Sequence, residues 1–396
     1  MPATRVEVML RAANRHPDCA ATGTKPRQAV FARVGSVRIS PRTPLRPSAS
    51  VGAHPPRPPL SPQFIAGTVG CVLVAMLWRA TRSYPTQLLD LYPLYYGAKA
   101  WLHGGNAYVL DAVAPAADRA HLLYQVGNVY PLPAVLLVLP LSFLSPTVAA
   151  TIWVGCLTGG LLLALRLTGL PTWLALYVPL LACLRLEQYT VFVIILQIVA
   201  LWAYREHRLW LLAFCCALIL TKPNHGLIFV LVMLLLARHW RQQLVAGAAV
   251  WGGSMLLDPH WLQWWISTVL RHQEVTHQPV FWQLALLAIP LLLIRDYISG
   301  ALVLQFLLEP FPGMYVASAV PLGVLGDRRS KYLIPASFLT LPAYASVGQA
   351  WATVLALILP MVLLAFLRWW EGREGRLRTI LPATAPAEAR VGELAR

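Results

Sequence analysis

Tyr189-Thr190-Val191-Phe192-Val193-Ile194-Ile195-Leu196-Gln197-Ile198-Val199-Ala200-Leu201-Trp202-Ala203-Tyr204 is the run that decides the fold class. It carries no charged side chain, follows Glu187-Gln188 and stops at Arg205. A helix needs roughly 17–25 apolar residues to cross the hydrocarbon core of a bilayer, and this run approaches that length. Comparable runs occupy 64–80, 129–144, 147–165, 209–221, 225–237, 242–257, 279–294, 297–308, 312–325, 331–343 and 348–367. Of the 396 residues, 58% are hydrophobic and 12% charged, where a soluble domain carries about a quarter charged. Trp and Tyr, which gather at membrane–water boundaries, number 15 and 14. The expected fold is all-α: a polytopic transmembrane helical bundle with about twelve crossings.

Outward from that core, the ends differ. Residues 1–60 hold ten Lys or Arg against Glu7 and Asp18, half of the net charge of +16, and are rich in Pro, Ala and Ser. With no apolar periodicity, this stretch is expected to be disordered. It reads either as a basic cytoplasmic arm or as a translation start placed upstream of the true one, and it has no apolar segment of the signal-peptide kind. Residues 61–370 form the transmembrane domain and 371–396 a cytoplasmic tail. The charge is that of topology and anionic lipid; without a basic fold interleaved with aromatics, no nucleic-acid partner is expected. Cys19, Cys71, Cys156, Cys183, Cys215 and Cys216 lack metal-ligand spacing and read as small hydrophobes.

Loop charge sets the orientation. Arg205, Arg208, Arg238, Arg241, Arg295, Arg328, Arg329, Lys331, Arg368, Arg373, Arg376 and Arg378 fall in alternate loops, which the positive-inside rule places in the cytoplasm with both termini. The parity closes when 171–187 dips in and returns as a re-entrant or broken helix, tolerable at membrane depth where it lines a protein cavity. The outer face then collects Asp90, Arg185-Leu186-Glu187-Gln188, Thr221-Lys222-Pro223-Asn224-His225, the loop 258–278 with Asp258, His260, Trp261, Trp264, Trp265 and His272, and the turn Glu309-Pro310-Phe311-Pro312.

After the first span the chain reads Leu88-Leu89-Asp90-Leu91-Tyr92-Pro93-Leu94-Tyr95-Tyr96-Gly97-Ala98-Lys99-Ala100-Trp101-Leu102-His103-Gly104-Gly105-Asn106-Ala107-Tyr108. Leu94, Tyr95, Ala98, Trp101 and Leu102 fall at helical spacing. They predict an amphipathic helix lying in the interface and ended by Gly104-Gly105. Asp90, at the outer end of the first span, is placed to take a proton from a hydroxyl; helix cap or solvated loop acid is the other reading, and spacing alone leaves both open.

These segments resemble the membrane glycosyltransferases of the GT-C fold, and most closely glycosyltransferase family 87, the polyprenyl-phosphate-mannose-dependent mannosyltransferases. The resemblance rests on the Asp after the first span and the Tyr-rich segment ending in Gly-Gly-Asn-x-Tyr. Tyr130-Pro131-Leu132-Pro133 is similar to the family's Tyr-Pro-Pro start of the second span, Glu187-Gln188-Tyr189-Thr190 to its Gly-Gln-x-Asn turn, and Leu220-Thr221-Lys222-Pro223-Asn224 to its Lys-Pro turn. Glu187 stands where the family usually has Gly and Thr190 where it has Asn.

The resemblance implies a plasma (cell) membrane enzyme with its active site on the outer face. It would transfer a sugar, mannose first, from a polyprenyl-phosphate donor to a lipid or glycan acceptor with inversion, without cofactor or metal. Asp90 is then the general base and Lys222 the cation at the donor phosphate, with Arg185 second, although pairing with Glu187 would occupy Arg185. Gln188, Tyr95, His260 and Trp264 are the other substrate-binding candidates. Each has a plainer alternative: a snorkelling interfacial Lys222, a Gln188 that satisfies the broken helix, an aromatic belt around Trp264. Two other functions share the broken helix and the intramembrane polar groups: a transporter or flippase, and a catalytically inactive GT-C-like membrane scaffold. Against the transporter stand the gathering of polar groups on one face and the lack of repeated halves.

Overall fold

The structure is a computed structural model and describes residues 60–81, 90–110, 127–276, 282–294, 296–308, 318, 319, 322, 332–339 and 358–380. All of these lie in the unit Pro58–Arg396. Asp111, Asp118, Arg295, the turn 309–312, Arg328, Arg329, Lys331, the arm 1–59, most of the span expected at 312–325 and the first part, 348–357, of the span expected at 348–367 lie outside the described residues.

Among the described residues every regular element is helical. The first helix, α1 (Pro62–Thr81), opens on Ser61, whose Oγ accepts the Phe64 N–H at 3.1 Å; a serine there satisfies one of the orphan amides of a helix start. It runs beside α4 (Pro146–Leu167). Gly155 and Gly159 make the close approach possible: a Cβ on Gly155 would lie 2.8 Å from the Met76 side chain and one on Gly159 3.2 Å from Val72. Small residues four apart on one face let apolar helices pack where water gives no driving force. Among the described residues α1 and α4 are the two helices long and apolar enough to cross a membrane, by length and composition, and shorter apolar helices accompany them.

Between them lie α2 (Tyr92–Leu102) and α3 (Leu132–Val138). The helix α2 stops where expected, with Gly104 at φ +75°, but it is not a one-faced interfacial helix. Tyr92 through Ala98 and Ala100 are all buried. Gly97 explains the depth, since a Cβ there would meet Asn128 Nδ2 at 2.7 Å and the Ala107 carbonyl at 2.9 Å. The other side is filled by Tyr rings stacked edge-on, Tyr92 on Tyr96 at 4.8 Å and Tyr95 on Tyr96 at 5.0 Å.

The stretch expected to dip and return is a broken helix: a 3-10 turn (Thr172–Leu176), extended Tyr177, then α5 (Val178–Arg185). Next come α6 (Thr190–Arg205), α7 (Leu209–Ile219) and α8 (Pro223–Ala237). The run 240–257 is a continuous helix, α9 (Trp240–Gly247) and α10 (Gly253–Leu257) joined by a π-helical bulge over Ala248–Gly252. The supposed outer loop 258–278 is instead mostly helix, α11 (Trp261–Thr276). The C-terminal half adds α12 (Ala288–Leu293), α13 (Tyr297–Leu304), α14 (Leu333–Phe338) and α15 (Leu359–Ile380), the last extending past the predicted end of its span at 367.

The core is continuous from α2 to α15, yet much apolar surface faces outward: Val74 is 68% exposed, Leu235 75% and Leu256 89%.

Candidate active site

The site is built on the turn that joins α5 to α6. The Gln188 N–H reaches back to the Cys183 carbonyl at 2.9 Å and the Glu187 N–H to the Leu184 carbonyl at 3.1 Å. This pair of bonds is the Schellman closure of a helix, and it needs a left-handed residue at the position Glu187 holds. Glu187 is at φ 59°. A side chain in that conformation costs roughly 1–2 kcal/mol, which is the reason a glycine suits such a turn.

Glu187 is held by two neighbours. Its carboxylate accepts the Nε–H of Arg79 from the last turn of α1, and both residues are fully buried. Its carbonyl accepts the Trp153 indole N–H of α4 at 3.1 Å. This corrects the expected pairing of Glu187 with Arg185, which is exposed at the end of α5. Arg185 stays exposed while Glu187 is buried, and Arg79, at the end of α1, is buried with it.

The residue before the turn's apex anchors the candidate base. The Leu186 carbonyl accepts the Asp90 N–H at 3.1 Å, and Asp90 itself is half-buried. The residue after the apex meets the candidate cation. Lys222 Nζ donates to Thr190 Oγ1 at 2.6 Å and to Gln188 Oε1 at 3.4 Å, and it stands 5.7 Å over the Tyr130 ring. Lys222 is buried and precedes Pro223, the first residue of α8. The turn carrying it is tight: a Cβ on Gly226 would fall 2.3 Å from Ile219 Cγ2 and 2.7 Å from its carbonyl oxygen. Tyr189 ties this turn to the α5–α6 turn through a 2.8 Å hydrogen bond between its hydroxyl and that of Thr221, and its ring lies against Tyr130 at 5.5 Å. Gln197 of α6 donates to the His225 carbonyl at 3.0 Å.

The turn Leu186-Glu187-Gln188 thus bonds the Asp90 backbone and the Lys222 ammonium, and Arg79, Tyr130, Trp153, Tyr189 and Thr190 join it as residues that sequence reasoning gave no role in the site. Tyr95 goes elsewhere. It is buried and its hydroxyl donates to the Leu144 carbonyl at 2.6 Å, which seats α2. His260 and Trp264 pack on each other at 5.9 Å at the start of α11; one residue on, Trp265 donates its indole N–H to the Val129 carbonyl at 2.8 Å, beside Tyr130. Asp258 accepts the His260 N–H at 3.0 Å. Burial, with the Asp258 charge nearby, pushes the Tyr108 hydroxyl well above its ordinary range, so it stays a neutral donor. Among the described residues no group of three or more His, Cys, Asp or Glu side chains converges as metal ligands would.

The described elements are all helical, and one turn between two of them bonds both the Asp90 backbone and a buried lysine. The model of glycosyltransferase family 87 matches residues 128–385. The chain belongs to that family, a family of glycosyltransferases. Among curated proteins and among solved structures nothing matches the chain.

Proposed function

We propose that the chain is a polytopic membrane glycosyltransferase of GT-C architecture. It transfers a sugar, mannose first, from a polyprenyl-phosphate donor to a lipid or glycan acceptor, inverting the anomeric centre. The acceptor oxygen attacks the anomeric carbon, the bond from that carbon to the phosphate oxygen breaks, and the acceptor proton passes to Asp90. The polyprenyl phosphate leaves against Lys222, whose charge stabilises the developing anion in a site of low dielectric. Gln188 and Thr190 hold the ammonium, exposed Arg185 is the second phosphate contact, and His260 with Trp264 offers a face for a sugar ring. Tyr95 we assign to seating α2 rather than to substrate, because its hydroxyl is already committed.

The outward-facing Val74, Leu235 and Leu256 support residence in lipid, and the family membership supports the transfer chemistry. The loop charges favour the plasma membrane orientation with both termini in the cytoplasm and the site outside, with about twelve crossings over 61–370. The single observation that carries the reading is that the Asp90 backbone and the Lys222 ammonium both bond to the turn Leu186-Glu187-Gln188.

The test is transfer of radiolabelled sugar from polyprenyl-phosphate donors by membranes containing the protein. Asp90→Asn keeps shape and hydrogen bonding but not the carboxylate's basicity. Removing a general base costs about 10²–10⁴ in rate, so this variant should insert normally and lose at least about two orders of magnitude. Near-parental transfer by Asp90→Asn would make Asp90 structural. A parent that transfers nothing from any such donor would return the protein to the transporter or scaffold class.

A further inference from the structure

Three consecutive residues of one turn each serve a different part of the proposed site. Leu186 offers its carbonyl to the Asp90 N–H, Glu187 sends its carboxylate to Arg79, and Gln188 sends its amide oxygen to Lys222. The middle residue is the one in left-handed backbone, at φ 59°. A glutamate has little preference for that conformation, so something beyond the turn holds it there. The holding contacts come from two different helices, Arg79 of α1 and Trp153 of α4, the pair packed through Gly155 and Gly159.

We propose that the Arg79–Glu187 ion pair is a positioning device for the transfer reaction. It locks the 186–188 turn to the paired α1 and α4, and so sets where Asp90 stands relative to Lys222. Neither residue touches substrate; both act through the turn. The inference rests on the roles proposed above for Asp90 and Lys222. Alignment of this kind is where rate is sensitive, since a shift of about 1 Å in reacting groups costs on the order of a hundredfold.

Single neutral substitutions break the buried ion pair from one side and are expected to damage folding. The informative variant is therefore Arg79→Met with Glu187→Gly, which removes both charges and gives the left-handed position its preferred residue. A second variant, Glu187→Asp, keeps the charge and tolerates the conformation but withdraws the carboxylate by one methylene. Two measurements are made on each full-length protein in detergent or membranes: hydrogen exchange of the Asp90 amide, which reads its bond to Leu186 directly, and kcat for sugar transfer. The double variant should unfold at a temperature near the parent's, exchange the Asp90 amide at least about tenfold faster, and show kcat reduced about tenfold or more. Glu187→Asp should move both in the same direction by less. Parental exchange at Asp90 in both variants overturns the proposal, and so does faster exchange with parental kcat, which would make the pair a brace for the fold alone. If the parent transfers no sugar, the functional reading falls separately, and the exchange measurement alone then decides whether the pair holds Asp90 in place.

Discussion

Replacing Lys222 by methionine is the perturbation whose size the geometry defines best. The ammonium donates to Thr190 at 2.6 Å and to Gln188 at 3.4 Å, and stands 5.7 Å over Tyr130. Both of these acceptors are neutral side chains. The substitution should spare the helix, because Lys222 sits just outside α8, which begins at Pro223. It should also leave the local network partly closed, since the Thr190 hydroxyl can still donate to Gln188 Oε1, 3.4 Å away. The main loss would then fall on the donor phosphate. A hydrogen bond to a charged group contributes about 1.5–3 kcal/mol, and every 1.4 kcal/mol is about tenfold in affinity. Lys222→Met should therefore weaken donor binding roughly ten- to a hundredfold, read as the apparent donor KM in proteoliposomes with acceptor held saturating. A donor KM unchanged in a well-folded Lys222→Met would refute the phosphate role and leave Lys222 as an interfacial lysine.

Labelling of single engineered cysteines in intact cells should find positions 90, 222 and 264 accessible from outside and position 241 from inside; 90 and 241 on one side would sink the orientation. Deleting residues 2–58 should leave insertion and transfer largely intact, and a truncated protein that inserts but has lost all turnover would contradict the arm's lack of a catalytic role. Burial lowers the pKa of His272 and, against a smaller opposing effect of Gln243, that of His239. Both are then neutral in the folded protein at pH values where the unfolded chain, near 6.5, already takes up a proton. Their contribution to stability is fully present above about pH 6.5 and declines as the pH falls through and below it. The unfolding temperature in detergent should drop between pH 7.5 and 5.5, and His239→Gln with His272→Gln should shrink that drop; an undiminished drop would assign the effect to other groups.

What the sequence revealed of the site follows from where polarity breaks an apolar run. Asp90, Gln188 and Lys222 each end or begin such a run, and polar groups left at that depth have few places to go except toward one another. The partner of Glu187 was hidden for the opposite reason. Arg79 is 108 residues away and lies at the end of an apolar helix, where an arginine reads as a boundary charge. Arg185, two residues from Glu187, looked the closer choice, and the reversal of the chain at Glu187 is what separates them. The burial of α2 was hidden too, because tyrosine and alanine score as tolerable on either face, while the depth depends on the missing Cβ of Gly97 against Asn128. In 258–278 the tryptophans suggested a boundary belt, and their content masked the continuous helix that carries them.

The two departures that the sequence resemblance implies at this turn, Glu187 for Gly and Thr190 for Asn, can be weighed in the same physical terms. Where glycine is usual, Glu187 adopts left-handed backbone at a cost of roughly 1–2 kcal/mol. The alternative in this chain is worse, because a glycine would leave the Arg79 guanidinium buried without its carboxylate, and stranding one member of a buried pair costs about 3–5 kcal/mol. Arg79 and Glu187 therefore explain each other: the strain is the smaller of two penalties once arginine occupies the end of α1. At the second departure, Thr190 stands where asparagine is usual, and its hydroxyl accepts the Lys222 ammonium at 2.6 Å, a bond that an amide oxygen could also accept. Both substitutions thus keep the backbone turn and the lysine contact while changing the groups that make them. Neither removes an element that the proposed transfer needs, and the one at Glu187 adds a tie between the site and α1 that a glycine could not provide.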